Sequence, residues 1–192
     1  MTQMSELNGM MAHDWVDSLV CALCEGRLVA GVGTFELQCQ SCSQRYPIRE
    51  GIPILLPDAT SRSKLEDIDY DTVHKIDPVA CGRLYERWSS VLEHYEIKGG
   101  EVLEIGCGTG FLTYGLLQSN EFRRISASDI SLKFLAALRR RTQGLANVPE
   151  LYVADANHLP FAAESFDAVL GNSVLHHFID FEVTLRSCAR IL

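Results

Sequence analysis

An α/β fold built on a mostly parallel sheet, preceded by a small cysteine-rich module, is what the sequence predicts, and three features predict it. From Glu101 onward, short apolar runs of strand character alternate with segments of helical period. The first of these runs enters a glycine-rich turn, Gly106-Cys107-Gly108-Thr109-Gly110. Two Cys-x-x-Cys pairs, Cys21/Cys24 and Cys39/Cys42, stand ahead of that region. Strand–helix alternation implies crossover connections, and crossovers join parallel strands. A chain of 192 residues has room for one full domain and a small module.

Four segments follow in order. Residues 1–17 are polar and Met-rich without a sustained period, the pattern of a flexible leader. They lack a charged start followed by a long apolar run. No stretch of the chain approaches the roughly 20 apolar residues of a membrane span, so a cytoplasmic protein is expected. Residues 18–57 hold the cysteine pairs. Between them, the alternating segments Arg27–Ala30 and Thr34–Cys39, broken at Gly31-Val32-Gly33, read as a hairpin.

Residues 58–98 combine a Ser-, Asp- and Lys-rich linker, Asp58 to Lys75, with a helix. Asp77-Pro78 supplies its N-cap and first-turn proline, and Leu84, Trp88, Val91 and Tyr95 recur at helical spacing up to Lys98-Gly99-Gly100. Residues 99–192 form the main domain, with strands expected at Glu101–Cys107, Arg124–Ile130, Glu150–Ala154 and Phe166–Leu170. Helices are expected across Phe111–Gln118 and Ser131–Arg141, and again from Asp180, the last with Phe181, Leu185, Cys188 and Leu192 on one face.

Cysteine usage points to a metal. The two pairs are separated by 14 residues, and two knuckles at the ends of a hairpin can bring four thiolates together tetrahedrally, the geometry Zn²⁺ favours. A module this small has too little core to fold without such a staple. Cys21, Cys24, Cys39 and Cys42 are therefore the expected ligands of a structural zinc. Four thiolates leave no open position for water, which counts against a catalytic one.

The glycine-rich turn points to a nucleotide-bearing ligand. Its glycines permit positive φ and let backbone approach a ligand closely. A dinucleotide fingerprint would place its third glycine at position 111, which is Phe111. Glu104, just ahead of the turn, would repel a pyrophosphate and suits a cationic ligand instead. Asp129 stands 23 residues after Gly106, at the end of the next strand, where a carboxylate can accept hydrogen bonds from both hydroxyls of a ribose. The alternative for Asp129 is a charge at the N-terminus of the following helix. Asp155-Ala156 follow the third strand and could read an adenine edge. Asn172 follows the fourth.

In order and spacing, VLEIGCGTG, SASDIS, VADANHLPF and FDAVLGNSVLHHF resemble the motifs of class I S-adenosylmethionine (SAM)-dependent methyltransferases, nearest to the branch containing quinone-biosynthesis and other small-molecule enzymes. The resemblance spans about residues 70 to 192. It implies a Rossmann-like, mostly parallel sheet with SAM as cofactor. Glu104 and the loop Gly106, Cys107, Gly108 and Gly110 would hold the methionine part. Asp129 would hold the ribose, Ile130 would pack on adenine, Asp155 and Ala156 would read its edge, and Asn172 would offer backbone contacts. Tyr46 to Pro57 resembles the small zinc-ribbon proteins that activate tRNA and protein methyltransferases, which implies a supporting role for the module.

Methyltransferases of this kind continue past their last helix with a Lys-Pro-Gly-Gly turn, a fifth strand and a closing antiparallel pair, whereas this chain ends at Arg190-Ile191-Leu192. The expectation is a shortened version of a longer enzyme, or a sheet completed by a protein partner or by self-association along its open edge. A small-molecule acceptor is expected. The net charge of -8 counts against nucleic acid, as does a zero charge sum over Glu25, Arg27, Glu36, Arg45, Arg49 and Glu50 of the ribbon. The basic run Arg139-Arg140-Arg141 reads as a solvated helix end. His176 and His177, just past the fourth strand, are the nearest candidates for a general base. A packing or helix-entry role is the alternative for each. Tyr85 would lid the site or pack in the core.

Overall fold

The computed structural model describes residues 16–31, 35–56, 78–178 and 180–192. The expected linker, the Asp77 cap and most of the expected leader lie outside these residues, as do Val32 and Gly33 of the expected hairpin break.

Eight strands form one sheet in the order β1-β2-β3-β4-β7-β6-β5-β8. They are β1 (Leu28–Ala30), β2 (Glu36–Cys39), β3 (Arg45–Arg49), β4 (Ile52–Leu55), β5 (Glu101–Ile105), β6 (Arg124–Asp129), β7 (Glu150–Ala154) and β8 (Ala168–Leu170). β1 to β4 are antiparallel neighbours, whereas β4, β7, β6, β5 and β8 run parallel. Four α-helices are present among the described residues: α1 (Pro78–His94), α2 (Phe111–Ser119), α3 (Leu132–Thr142) and α4 (Phe181–Ile191). Alternation along each parallel strand divides the core. Val102 faces Leu112, Leu116 and Ile125 beneath α1 and α2. Ile54, Ala127, Leu151 and Val153 face Leu135 and Leu138 of α3. Leu103, Ile105 and Tyr152 point the other way, onto Phe161, Phe166 and Ile191. The central strands are buried on both faces, which is why they read as near-continuous apolar runs.

The ribbon is continuous with the parallel sheet. Glu50 and Gly51, with φ of 49° and 69°, make a tight left-handed turn that reverses β3 into β4. β4 then lies along β7, with Ile54 opposite Val153 and Leu55 opposite Ala154. A second strap runs beside it: the Val20 N–H donates to the Pro160 carbonyl at 3.0 Å and Ala162 N–H to the Ser18 carbonyl at 2.8 Å. Sequence patterning placed no strand at Ile52–Leu55, because a four-residue apolar run carries no period that distinguishes a sheet edge from a connecting loop.

Two helix faces differ from expectation. On α4 the buried residues are Thr184, Ser187 and Ile191, while Phe181, Leu185 and Leu192 are each about half exposed. Polar contacts set this orientation. Thr184 donates to Asn157 Oδ1 at 2.6 Å, Ser187 Oγ accepts from Leu159 N–H at 2.9 Å, and Arg190 donates to the carbonyls of Phe161 and Leu159. On α1 the inward residues are Cys81, Leu84, Tyr85, Trp88 and Leu92; Val91 and Tyr95 face solvent. The arginine run at the end of α3 is not merely solvated either. Arg139 donates to the Glu50 carbonyl, Arg140 pairs with the Glu50 carboxylate at 3.7 Å, and Arg141 donates to the Thr109 carbonyl at 3.3 Å.

Candidate functional site

The carboxyl ends of β5, β6, β7 and β8 lie side by side, and the connections leaving them carry the site residues expected from the sequence. Between β5 and α2 the chain takes left-handed φ three times, at Gly106 (61°), Gly108 (54°) and Gly110 (86°). These glycines serve different needs. A Cβ on Gly106 would lie 2.1 Å from Val174, and one on Gly110 would lie 2.4 Å from Leu138, so both are required by packing. At Gly108, which is half-buried, a Cβ would meet nothing within 4 Å, so open space lies beside the backbone there.

Two acids flank this loop. Asp129, at the end of β6, accepts the Gly108 N–H on one oxygen and the Ser131 N–H on the other, both at 2.8 Å, and so ties the glycine loop to the start of α3. Burial raises its carboxyl above the usual range, opposed by those N–H groups and by the nearby His177. Its position therefore includes the helix-entry role as well as access to the loop. Glu104 is almost fully buried and accepts a hydrogen bond from the Thr113 hydroxyl. Burial pushes its carboxyl up to about 8, and the charge of Asp129 adds to the effect.

This elevation has a consequence for the ligand-free protein. Between an ordinary carboxylate value and about pH 8 the folded chain retains a proton that the unfolded chain has released, so folding stability falls as pH rises through that window. Glu104→Gln removes the titration. Melting temperatures from pH 5 to 9 are expected to give a mutant curve that gains on the wild type as pH rises; parallel curves would refute the buried-acid assignment.

The remaining residues complete the rim. Asp155 caps a short 3-10 turn, Ala156–His158, by accepting the Asn157 N–H at 2.9 Å. Ile130, Ala156 and Asn172 are partly exposed on the same edge. His176 and His177 are exposed on a second 3-10 turn, Leu175–His177, with ring centroids 4.0 Å apart. Tyr85 is not at this edge: it packs against Gly115 within the core of α1 and α2, and its hydroxyl donates to Glu121 at 2.7 Å. Sequence reasoning did not single out Thr113, Ser131 or Val174. Each acts through a neighbour in space, a relation without a sequence signature, although Ser131 as the N-cap of α3 was open to inspection.

The four cysteines of the two pairs converge. Their sulfurs all lie within 4.8 Å of one another, with Cys21–Cys42 at 3.6 Å and Cys24–Cys39 at 3.5 Å. Sulfurs placed tetrahedrally at zinc–sulfur bonds of about 2.3 Å stand about 3.8 Å apart, so the set fits that ion. The knuckles repeat one geometry. Glu25 N–H donates to the Cys21 carbonyl and Ser43 N–H to that of Cys39, while Cys21 N–H reaches Gly26 and Cys39 N–H reaches Gln44. Glu25 and Ser43, each following a second cysteine, both take left-handed φ, at 56° and 62°. The buried Tyr46 hydroxyl lies 3.0 Å from Cys21 Sγ, where it can steady a thiolate.

A parallel sheet with a glycine loop after one central strand and a carboxylate at the end of the next is a Rossmann-like arrangement. Residues 103–192 match the model described as a methyltransferase domain, and residues 16–51 match that of a Trm112p-like protein. Among curated relatives, a malonyl-[acyl-carrier protein] O-methyltransferase of Legionella pneumophila is 31% identical over 124 residues, which is 65% of this chain and 42% of that protein. A tRNA U34 carboxymethyltransferase of Pseudomonas paraeruginosa is 23% identical over 193 residues, 98% of this chain and 57% of that protein. The chain thus spans well under two thirds of the length of either. Among solved structures, a protein of Methanococcus maripaludis described as a candidate S-adenosyl-L-methionine-dependent methyltransferase shares the fold with a TM-score of 0.51 at 18% identity, over 63% of this chain and 61% of that one.

Proposed function

We propose that this protein is a SAM-dependent methyltransferase acting on a small molecule, with SAM held at the carboxyl edge of the parallel sheet. One observation carries the reading: a buried carboxylate, Glu104, and a half-buried one, Asp129, flank a glycine loop whose middle glycine has open space beside it. Holding two acids together where one is buried and the other partly so is unfavourable, and a ligand that contributes positive charge and donors offsets the cost. SAM does both, through its ammonium and sulfonium groups and its ribose hydroxyls.

In this reading Glu104 faces the ammonium group and the backbone of Gly106 to Gly110 lies along the methionine part. The spare lone pairs of Asp129 accept the ribose hydroxyls, Ile130 packs on adenine, and Asp155 and Ala156 border its edge. SAM supplies a methyl carbon already activated by positive sulfur, so the chain's task is alignment and exclusion of water. His176 and His177 stand at the exposed side of the site, where one could take a proton from an acceptor. The four cysteines would hold a structural zinc.

Asp129→Ala is expected to weaken SAM by about 1.5 to 3 kcal/mol, the range for hydrogen bonds to a charged group. NAD should not bind at all. Calorimetry showing equal SAM affinity for mutant and wild type would count against the ribose role. Incubating the chain with labelled SAM and separate metabolite, RNA and protein pools identifies the acceptor class; the net charge of -8 favours the metabolite pool. A second reading has support in the exposed apolar residues Phe181, Leu185 and Leu192 and in the outer edge of β8, at the end of the sheet: a SAM-binding unit that docks on a protein partner. Tight SAM binding without turnover in any pool would favour it. As for membranes, no helix among the described residues is long and apolar enough to cross one.

A further inference from the structure

We infer that Thr113 is a positioning residue for the cofactor, holding Glu104 in the orientation that receives the ammonium end of SAM. The inference rests on the cofactor reading above and arises from how α2 begins. The first turn of a helix has N–H groups without partners, and these are met by a side chain at the N-cap. Here the N-cap is Gly110, required by its left-handed φ and by Leu138, and it makes no side-chain cap. Glu104 reaches this turn from the neighbouring strand: its carboxylate accepts the Thr113 hydroxyl, and the Thr113 backbone N–H nearby also favours its charged form.

The arrangement does more than finish a helix. Thr113 is fully buried, and its hydroxyl points at a group that is itself buried, so no water competes for the bond. A buried carboxylate held by this hydroxyl has little rotamer freedom, and both the hydroxyl and the N–H favour its charged form. The charge of Asp129, facing it from β6, opposes that form, and the buried Cys107 thiol of the loop, pushed well above its usual value, stays neutral. Thr113 is thus the neighbour that keeps Glu104 able to meet a cation. Serine would preserve the role; valine, of the same shape, would abolish it.

Calorimetry with the whole chain and two ligands separates positioning from packing. SAM carries the amino-acid tail; 5′-methylthioadenosine keeps the adenine, ribose and sulfur but lacks it. Thr113→Val is expected to weaken SAM at least tenfold and to leave methylthioadenosine within twofold. Thr113→Ser should return SAM to within threefold of wild type. In a Glu104→Gln background, Thr113→Val should add less than twofold. Equal weakening of both ligands would overturn the inference, as would a serine variant no better than valine, or an undiminished loss in the Glu104→Gln background. If the valine variant fails to fold, the Thr113→Ala and Thr113→Ser pair makes the same comparison. Wild-type chain that binds neither ligand would bring down the cofactor reading, and this role with it.

Discussion

Removing the proposed zinc with a chelator, or replacing Cys39 with serine, is expected to unfold the ribbon and to loosen the edge of the parallel sheet with it. Structural zinc binding is linked to folding on the order of 10 kcal/mol in small modules. The core of the ribbon is Leu28, Leu37 and Tyr46 with Cys21 and Cys39, and that cluster runs on without a break into Leu55, Leu103, Ile105 and Tyr152 of the main sheet. Loss of the ribbon would expose β7, whose end leads directly into Asp155 and Ala156. Elemental analysis, then thermal melts with and without chelator, checks this. Purified protein free of zinc, or a Cys39→Ser variant with unchanged zinc content and melting temperature, would refute it.

Phe161→Ala should be the most damaging truncation at the seam between ribbon and sheet. Its ring is fully buried and stacks edge-on against Tyr152 at 5.1 Å and Phe166 at 5.0 Å. Its backbone pairs with Leu19 of the ribbon strap and accepts from Arg190 of α4 at 2.7 Å. Truncating a buried phenylalanine costs about 3 to 5 kcal/mol through lost burial and the cavity left behind. For a chain of this length that is a fall of roughly 10 °C in melting temperature. Leu185→Ala, on the exposed side of α4, is the control and should change stability by no more than about 0.5 kcal/mol. Similar melting temperatures for the two variants would mean that Phe161 does not anchor the seam.

Much of the fold was legible from residues alone. The strands around Val102, Ile125, Tyr152 and Val169 appear where apolar runs stand between turn signals. Ser131 and Asp180 begin their helices as side-chain caps, Ser131 accepting the Phe134 N–H and Asp180 that of Val183. The same reading placed the inward faces of α1 and α4 only in part: Leu84, Trp88 and Cys188 pack against the core, whereas Val91, Tyr95, Phe181, Leu185 and Leu192 are exposed. Helical period defines an apolar stripe, but only the packing partner decides which stripe is buried. On α4, hydrogen bonds from Thr184, Ser187 and Arg190 outweighed the apolar pattern.

What the sequence by itself determined is local: the glycine loop with its need for positive φ, the acids ahead of it and after the next strand, and the two cysteine knuckles, because each is specified by residue type at short spacing. Tertiary structure alone decided that β4 lies on β7, making ribbon and sheet one surface, and that Thr113 completes Glu104. It also decided that Arg139 and Arg140 reach back to Glu50. These contacts join residues that are distant in sequence, and what determines them is the shape and burial of the whole core.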